Sequence, residues 1–364
     1  MYPWILWKYI AKNYVSWFAG VFSVITVIIG IFETVELFRR GSGKSYVNLI
    51  IILKMVILKL PMVVEQVLPL VVFFSCFLCI RALNKKLEII VIRSSGVSMI
   101  QIVIPFLMVM SLFSVAYLFI FNPLSSTMFS RFERLEAKLF KSQRDTLSVS
   151  QSGLWFKKSY RDGKVIVHSR KTSKEALKLE GVTLYFFDRD NIFEKRLDTE
   201  EALIKKSELI LKNPWITKTK NWSEKVNGSK RVFVDLSFSS LEKSVVSPKS
   251  IPFYKLQGFI QSMEEMGFSV TAHKGHRYRL LGAPFLYLAM VLWAAALSLR
   301  WQRQEKTIKI IGFACIAVFS LYIFNEVIRS LGLSGVLSPG WSVILSIGVT
   351  FFSGCGLLLH LQEK

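Results

Sequence analysis

The chain has 364 residues, 52% of them hydrophobic and 13% aromatic, with a formal net charge of +22 and a mean hydropathy of +0.42. That composition excludes an ordinary soluble domain. The positive charge is divided between the flanks of apolar runs and one long polar segment, with no recognised nucleic-acid motif beside it, so nucleic acid is excluded as a partner.

The opening stretch MYPWILWKYIAKNY supplies Trp4, Trp7, Tyr9 and Tyr14, side chains suited to a membrane interface. Val15–Phe32 follows as a first apolar run long enough to cross a bilayer, too long for the core of a signal peptide and without a small-residue cleavage site after it. Glu33 and Glu36 come next, and Glu36 stands three and four residues before Arg39 and Arg40, the spacing for helical ion pairs. The segment GSGKS, Gly41–Ser45, looks like the tail of a phosphate-binding loop. The leading glycine of that pattern belongs at position 38, where this chain has Phe38, and the loop falls between two membrane spans, so no nucleotide site is assigned. Arg39, Arg40 and Lys44 form a basic group that suits interfacial anchoring and the capture of an anionic lipid head group equally well.

Span two is predicted at Val63–Ile80, interrupted only by Glu65 and Gln66. It holds Cys76 and Cys79, whose Cys-x-x-Cys spacing in an apolar run reads as packed helix residues rather than a redox or zinc pair. Cys315 and Cys355 also fall in apolar runs, so the long polar segment has no cysteine and must bury a core of its own. The loop RALNKKLEIIVIRSSGVSMIQIV, residues 81–103, combines a basic patch, an apolar helix-like core and Ser-Ser-Gly. It predicts a short helix near 84–96 lying along the membrane surface. Leu87, Glu88, Ile89 and Ile90, ahead of Ser95 and Gly96, suit docking into a groove on another protein.

Span three, Met99–Phe121, leads into the polar segment at Asn122–Arg279. RFERLEAKLF is helical, with Phe132, Leu135, Leu139 and Phe140 on one stripe. The period then falls to two through GLWFKKSY, GKVIVHSR, GVTLYFFD, ELILKNPWI and RVFVDLSFSS, where Val232, Val234, Leu236 and Phe238 share a face. Turn residues separate these pieces, which together predict a β-sandwich or open barrel of roughly 100 residues. SIPFYKLQGFIQSMEEMGF predicts a helix starting at Ser250 or Pro252 and stopping at Gly267. His273 and His276 have helical spacing, but the basic flank HKGHRYR repels a cation and no metal site is assigned. Spans four to six are predicted at Leu280–Leu299, Ile308–Phe324 and Trp341–Leu359, with Asn325, Glu326 and Arg329 capping and pairing at the end of span five.

The organisation is therefore three spans (1–121), an inserted domain (122–279) and three spans (280–364). Lysines and arginines in the short loops, such as Arg81, Lys85, Lys86, Arg300 and Arg303, place both termini in the cytoplasm and the insert on the far side. Ser, His and Asp are too scattered for a catalytic triad, and no cofactor is expected.

This pattern resembles the LptF/LptG (YjgP/YjgQ) family, the transmembrane subunits of the lipopolysaccharide export ABC transporter. NKKLEIIVIRSSGVSMIQIV carries the likeness most specifically, supported by GLWFKK, LEGVTLYFFD and PFLYLAMVLWAAALSLR. GLW and VTLYFFD look more like the LptG branch. The resemblance implies six transmembrane helices with a periplasmic β-jellyroll in the bacterial inner membrane. The implied partners are an LptF-like second permease subunit, an LptB-like ATPase dimer, and LptC- and LptA-like periplasmic proteins. Lipopolysaccharide is the implied cargo, taken laterally from the membrane. Leu87, Glu88, Ile89 and Ile90 would form the coupling helix, Arg39 and Arg40 would meet lipid A phosphates, and spans one and five would be lateral gates. At a position where the family has a further lysine, this chain has Glu33, so that contact is lost or shifted to Lys44. Competing readings are a membrane-anchored periplasmic sensor or assembly factor, and a mechanical ABC protein that does not transport. Short inner loops with no output domain favour the permease over the sensor.

Overall fold

The computed structural model describes residues 4–42, 48–140, 145–150, 153–160, 163–173, 178–188, 192–205, 208–218, 222–225, 228–233, 247–265, 270–300 and 307–362. Two compact units emerge, one of residues 1–132 and 274–364 and one of residues 133–273.

The first unit is helical. It comprises α1 (Trp4–Gly41), α2 (Leu49–Lys85), α3 (Glu88–Ser94) and α4 (Met99–Ala116), which passes through a π-helical turn, Tyr117–Phe121, into α5 (Asn122–Leu139). Six helical segments among the described residues are long and apolar enough to cross a membrane, and the last three lie in α7 (Thr271–Arg300), α8 (Thr307–Leu333) and α9 (Pro339–Gln362). Helices α2 and α7 bury most of their apolar windows, whereas α1 and α8 fully bury few or none of the residues in theirs.

The α2–α7 contact is close because both helices put small side chains there. Ser298 donates to the Phe77 carbonyl at 3.3 Å, Asn84 donates to the Ser298 carbonyl at 3.3 Å, and the Cys76 thiol points to the Val291 carbonyl at 3.9 Å. Small residues and interhelical hydrogen bonds replace the hydrophobic drive that lipid removes. Aromatic rings fill the seam with α1 and α4: Tyr14 meets Phe106 at 4.9 Å, Phe18 meets Phe113 at 4.9 Å, and Tyr287 meets Tyr117 at 5.5 Å. Helices α8 and α9 join at Gly332, where an added Cβ would lie 2.7 Å from the Ser342 Cβ. Asn325 donates to Thr350 Oγ1 at 3.2 Å and accepts from Ser346.

The second unit is built on one antiparallel sheet of nine described strands: β1 (Asp145–Ser150), β2 (Gly153–Tyr160), β3 (Gly163–Ser173), β4 (Lys178–Asp188), β5 (Phe193–Lys205), β6 (Glu208–Lys212), β7 (Trp215–Lys218), β8 (Trp222–Lys225) and β9 (Ser229–Phe233). The path runs β1-β2-β3-β4-β5-β6-β9, and β5 forks, its first half pairing β7 and its second half β6. Thr199 sits at the fork and donates to the Lys212 carbonyl at 2.5 Å. ELILKNPWI is therefore two strands rather than one. The break is Asn213, at φ 45°, whose side-chain oxygen accepts from the Gly228 N–H at 2.9 Å; Asn tolerates that left-handed conformation better than most residues. Burial alternates through Val182, Leu184 and Phe186 and through Leu197 and Thr199, then slips by one residue to reach Leu179 and Ala202. Gly181, at φ 61° and in contact range of the Arg170 side chain, stands at that slip. The expected face of Val232, Val234, Leu236 and Phe238 lies outside the described residues beyond Phe233. A 3₁₀ turn at Pro248–Ser250 precedes α6 (Phe253–Glu265), whose Leu256, Ile260 and Met263 are buried; its predicted stop at Gly267 is outside the described residues.

Candidate functional site

Two groups of sequence-selected residues lie towards opposite ends of α1. Near its start, Tyr9 donates a hydrogen bond to Glu88 Oε2 at 2.9 Å, tying α1 to the first residue of α3. Helix α3 is a single short element between α2 and α4, and its chain direction is set by Leu87, which takes the left-handed conformation at φ 65°. A leucine there carries steric strain because its Cβ meets the following carbonyl. The Ser95 hydroxyl donates to the Ile92 carbonyl at 2.7 Å, Gly96 turns the chain at φ 84°, and Ser98 and Gln101 form a reciprocal capping box that starts α4.

The apolar residues of α3 divide by helical period. Ile89 and Ile92 are 3% and 9% exposed and pack inwards, whereas Ile90 and Val91 are 58% and 66% exposed. The outward surface is thus Ile90–Val91 with Glu88 at its edge. Leu87 acts through backbone geometry, and Ile89 as an anchor. Val91, absent from the candidate residues selected from sequence, belongs to the exposed pair; the 3.6-residue period around Ile89 and Ile92 was the signal for it.

At the C-terminal end of α1, Glu36 bridges the two arginines as its spacing predicted: Arg39 Nη2 lies 2.8 Å from Oε2 and Arg40 Nε 2.7 Å from Oε1. Both guanidinium groups remain largely exposed. Lys44 lies outside the described residues, as does the chain from Gly43 to Val47. Glu33 has a partner that the local sequence did not reveal. Lys59 Nζ of α2 stands 2.5 Å from Glu33 Oε2 and 5.7 Å from the Phe132 ring centroid. The acid at position 33 therefore sits with a cation supplied by the neighbouring helix.

Other candidates resolve into structural pairs. Glu65 faces Arg279 of α7 at 3.8 Å, His276 Nδ1 lies 3.1 Å from Arg279 Nη2, and His273 is buried with its ring 5.2 Å from Phe259. Arg329 donates from Nε to Glu326 at 2.9 Å, while Asn325 turns instead to α9.

These features define a polytopic membrane protein with an inserted antiparallel β domain, a short surface helix between two spans and a basic cluster at a span end. The family description "Lipopolysaccharide export system permease LptF/LptG" matches residues 8–360, and the chain belongs to that family. It is accordingly a multi-pass inner-membrane permease of lipopolysaccharide export. No curated protein matches the chain.

Proposed function

We propose that the chain is one of two permease subunits, in the LptG-like position, that lift lipopolysaccharide out of the inner membrane under power from a separate LptB-like ATPase dimer. The family match covers LptF and LptG alike; GLW and VTLYFFD support the LptG side. Both termini are cytoplasmic and the β domain is periplasmic, as the basic short loops indicate. The observation that carries this reading is α3, a short helix held from within by Ile89 and Ile92 while it presents Ile90 and Val91 outwards. Two exposed apolar side chains next to an acid suit insertion into a groove on the ATPase.

At the other end of α1, Arg39, Arg40 and Lys44 attract the lipid A phosphates, while Lys59 of α2 is held by Glu33. Cargo then moves to the β domain and on to LptC- and LptA-like proteins. An amphiphile with several acyl chains needs apolar walls and a basic rim, and the exposed apolar length of α1 beside Arg39 and Arg40 offers both.

The test uses the full complex purified from membranes. Ile90→Asp with Val91→Asp is expected to remove the ATPase from the preparation while the second permease subunit stays. Retention of the ATPase in that variant refutes the α3 assignment. Arg39→Glu with Arg40→Glu is expected to lower photo-crosslinking to lipopolysaccharide and leave ATP hydrolysis intact. Unchanged crosslinking refutes the assignment of the basic cluster.

A further inference from the structure

A partly open cavity of about 150 Å³, with an apolar wall studded by polar groups, lies in the helical unit between α2, the π-helical turn, α7, α8 and α9. Its wall carries Glu65, Tyr117, Arg279, Tyr287, Asn325 and Ser346. Glu65 is 6% exposed, and neither of its carboxylate oxygens accepts a well-formed hydrogen bond from a described side chain. The polar ends of Tyr117, Ser125 and Asn122 nevertheless turn towards it. Its separation from Arg279, 3.8 Å, is too long for a direct hydrogen bond, so both charged groups have hydrogen-bonding capacity left over.

The backbone beside the cavity is irregular in two places. Pro69 of α2 has no N–H to offer the carbonyl four residues earlier, which is that of Glu65. Opposite, the i→i+5 turn that begins at Tyr117 inserts an irregularity into an otherwise regular helix. One missing backbone donor and one widened turn thus stand beside a carboxylate, a guanidinium and several hydroxyls.

We infer that the cavity is a binding site for an ordered cluster of water, which links Glu65 and Arg279 to Asn325 and Ser346 and attaches span five to the buried α2–α7 pair through solvent. The volume suits this occupant. At about 30 Å³ per molecule it accommodates roughly five waters, each with several polar partners in reach. Formal charge excludes a simple ion, because Glu65 and Glu326 balance Arg279 and Arg329 on the wall. Span five suits such an attachment, since α8 fully buries little of its apolar window while its polar residues Asn325, Glu326 and Arg329 line the cavity.

Radiolytic hydroxyl-radical labelling of the full complex in lipid nanodiscs tests the inference, because buried side chains are labelled efficiently where water is bound beside them. Tyr117 and Tyr287 are expected to label about tenfold faster than Tyr14, which is equally buried, lies outside the cavity wall and packs its ring against Phe106. Equal rates for the three tyrosines overturn the proposal. Glu65→Leu combined with Arg279→Leu removes the charge pair without leaving a lone buried charge, and is expected to bring Tyr117 down to the Tyr14 rate. Persistence of fast labelling in that double variant also overturns it. Should the double variant fail to assemble, Glu65→Gln keeps an amide as partner for water and is expected to retain the fast Tyr117 labelling; its loss there counts against the cluster.

Discussion

Leu87 is the residue on which the shape of the α2–α3 connection turns. Its φ of 65° is open to glycine and costly for a branched side chain, with strain of about 1–2 kcal/mol for an ordinary residue. Leu87→Ile is expected to speed amide exchange across Glu88–Ser94 about fivefold, corresponding to about 1 kcal/mol of lost local stability, while Leu87→Gly leaves exchange there no faster than in the parent. Hydrogen-exchange mass spectrometry of the intact complex reads both. Lys59 and Glu33 illustrate a different residue-scale rule. Both are largely buried, so removing one leaves the other without its counter-charge. Lys59→Met alone is expected to be more destabilising, by about 2–3 kcal/mol, than Lys59→Met together with Glu33→Gln. Thermal midpoints in detergent compare the two, and equal losses argue against the pair.

At the scale of elements, the α8–α9 contact depends on the absence of a side chain at Gly332. A Cβ there would meet Ser342 Oγ and Cβ, and Ser342 is fixed close to its own helix axis, so Gly332→Ala must push the helices apart. The expected cost is about 1–3 kcal/mol, and Ser342→Gly in the same chain is expected to restore most of it. A thermal-shift series on the two single variants and the double variant measures the recovery. Much at this scale was legible in advance. The apolar runs located six spanning helices, and the run beginning at Met99 marked the start of α4. Helix ends were not legible, because hydropathy marks only the stretch in lipid. Helix α1 runs on through WILWKYIAKN and ETVELFRRG, which contain no helix breaker before Gly41. Strand β5, the longest of the sheet, was missed because FEKRLDTEEALIK turns charge outwards at almost every other position and offers few apolar residues inwards. The Glu33–Lys59 and Glu65–Arg279 pairs were hidden for a simpler reason: each joins separate helices, and spacing along the chain says nothing about such neighbours.

For the whole molecule, the division into two units has a consequence for how the insert folds. All four cysteines lie in the helical unit, at positions 76, 79, 315 and 355, so residues 133–273 hold together without disulfides. Their sheet buries Val165, Val167, Leu179, Val182, Leu184, Leu197, Leu209 and Leu211. A polypeptide of residues 133–273 is expected to give a strand-type circular dichroism spectrum and a cooperative thermal transition that a reducing agent does not move. An unstructured spectrum refutes the independence of that core.

The uninterrupted length of α1 has a mechanical corollary. Tyr9 and Arg39 are separated by thirty residues of continuous helix, or about 45 Å of axial rise. Such a rod acts as a lever: a tilt of about 5° pivoted at its Tyr9–Glu88 end sweeps the arginine end sideways by about 4 Å. A small rocking of α3 is in this way converted, with no relay of rearranging side chains, into a sideways displacement of the basic end of the helix.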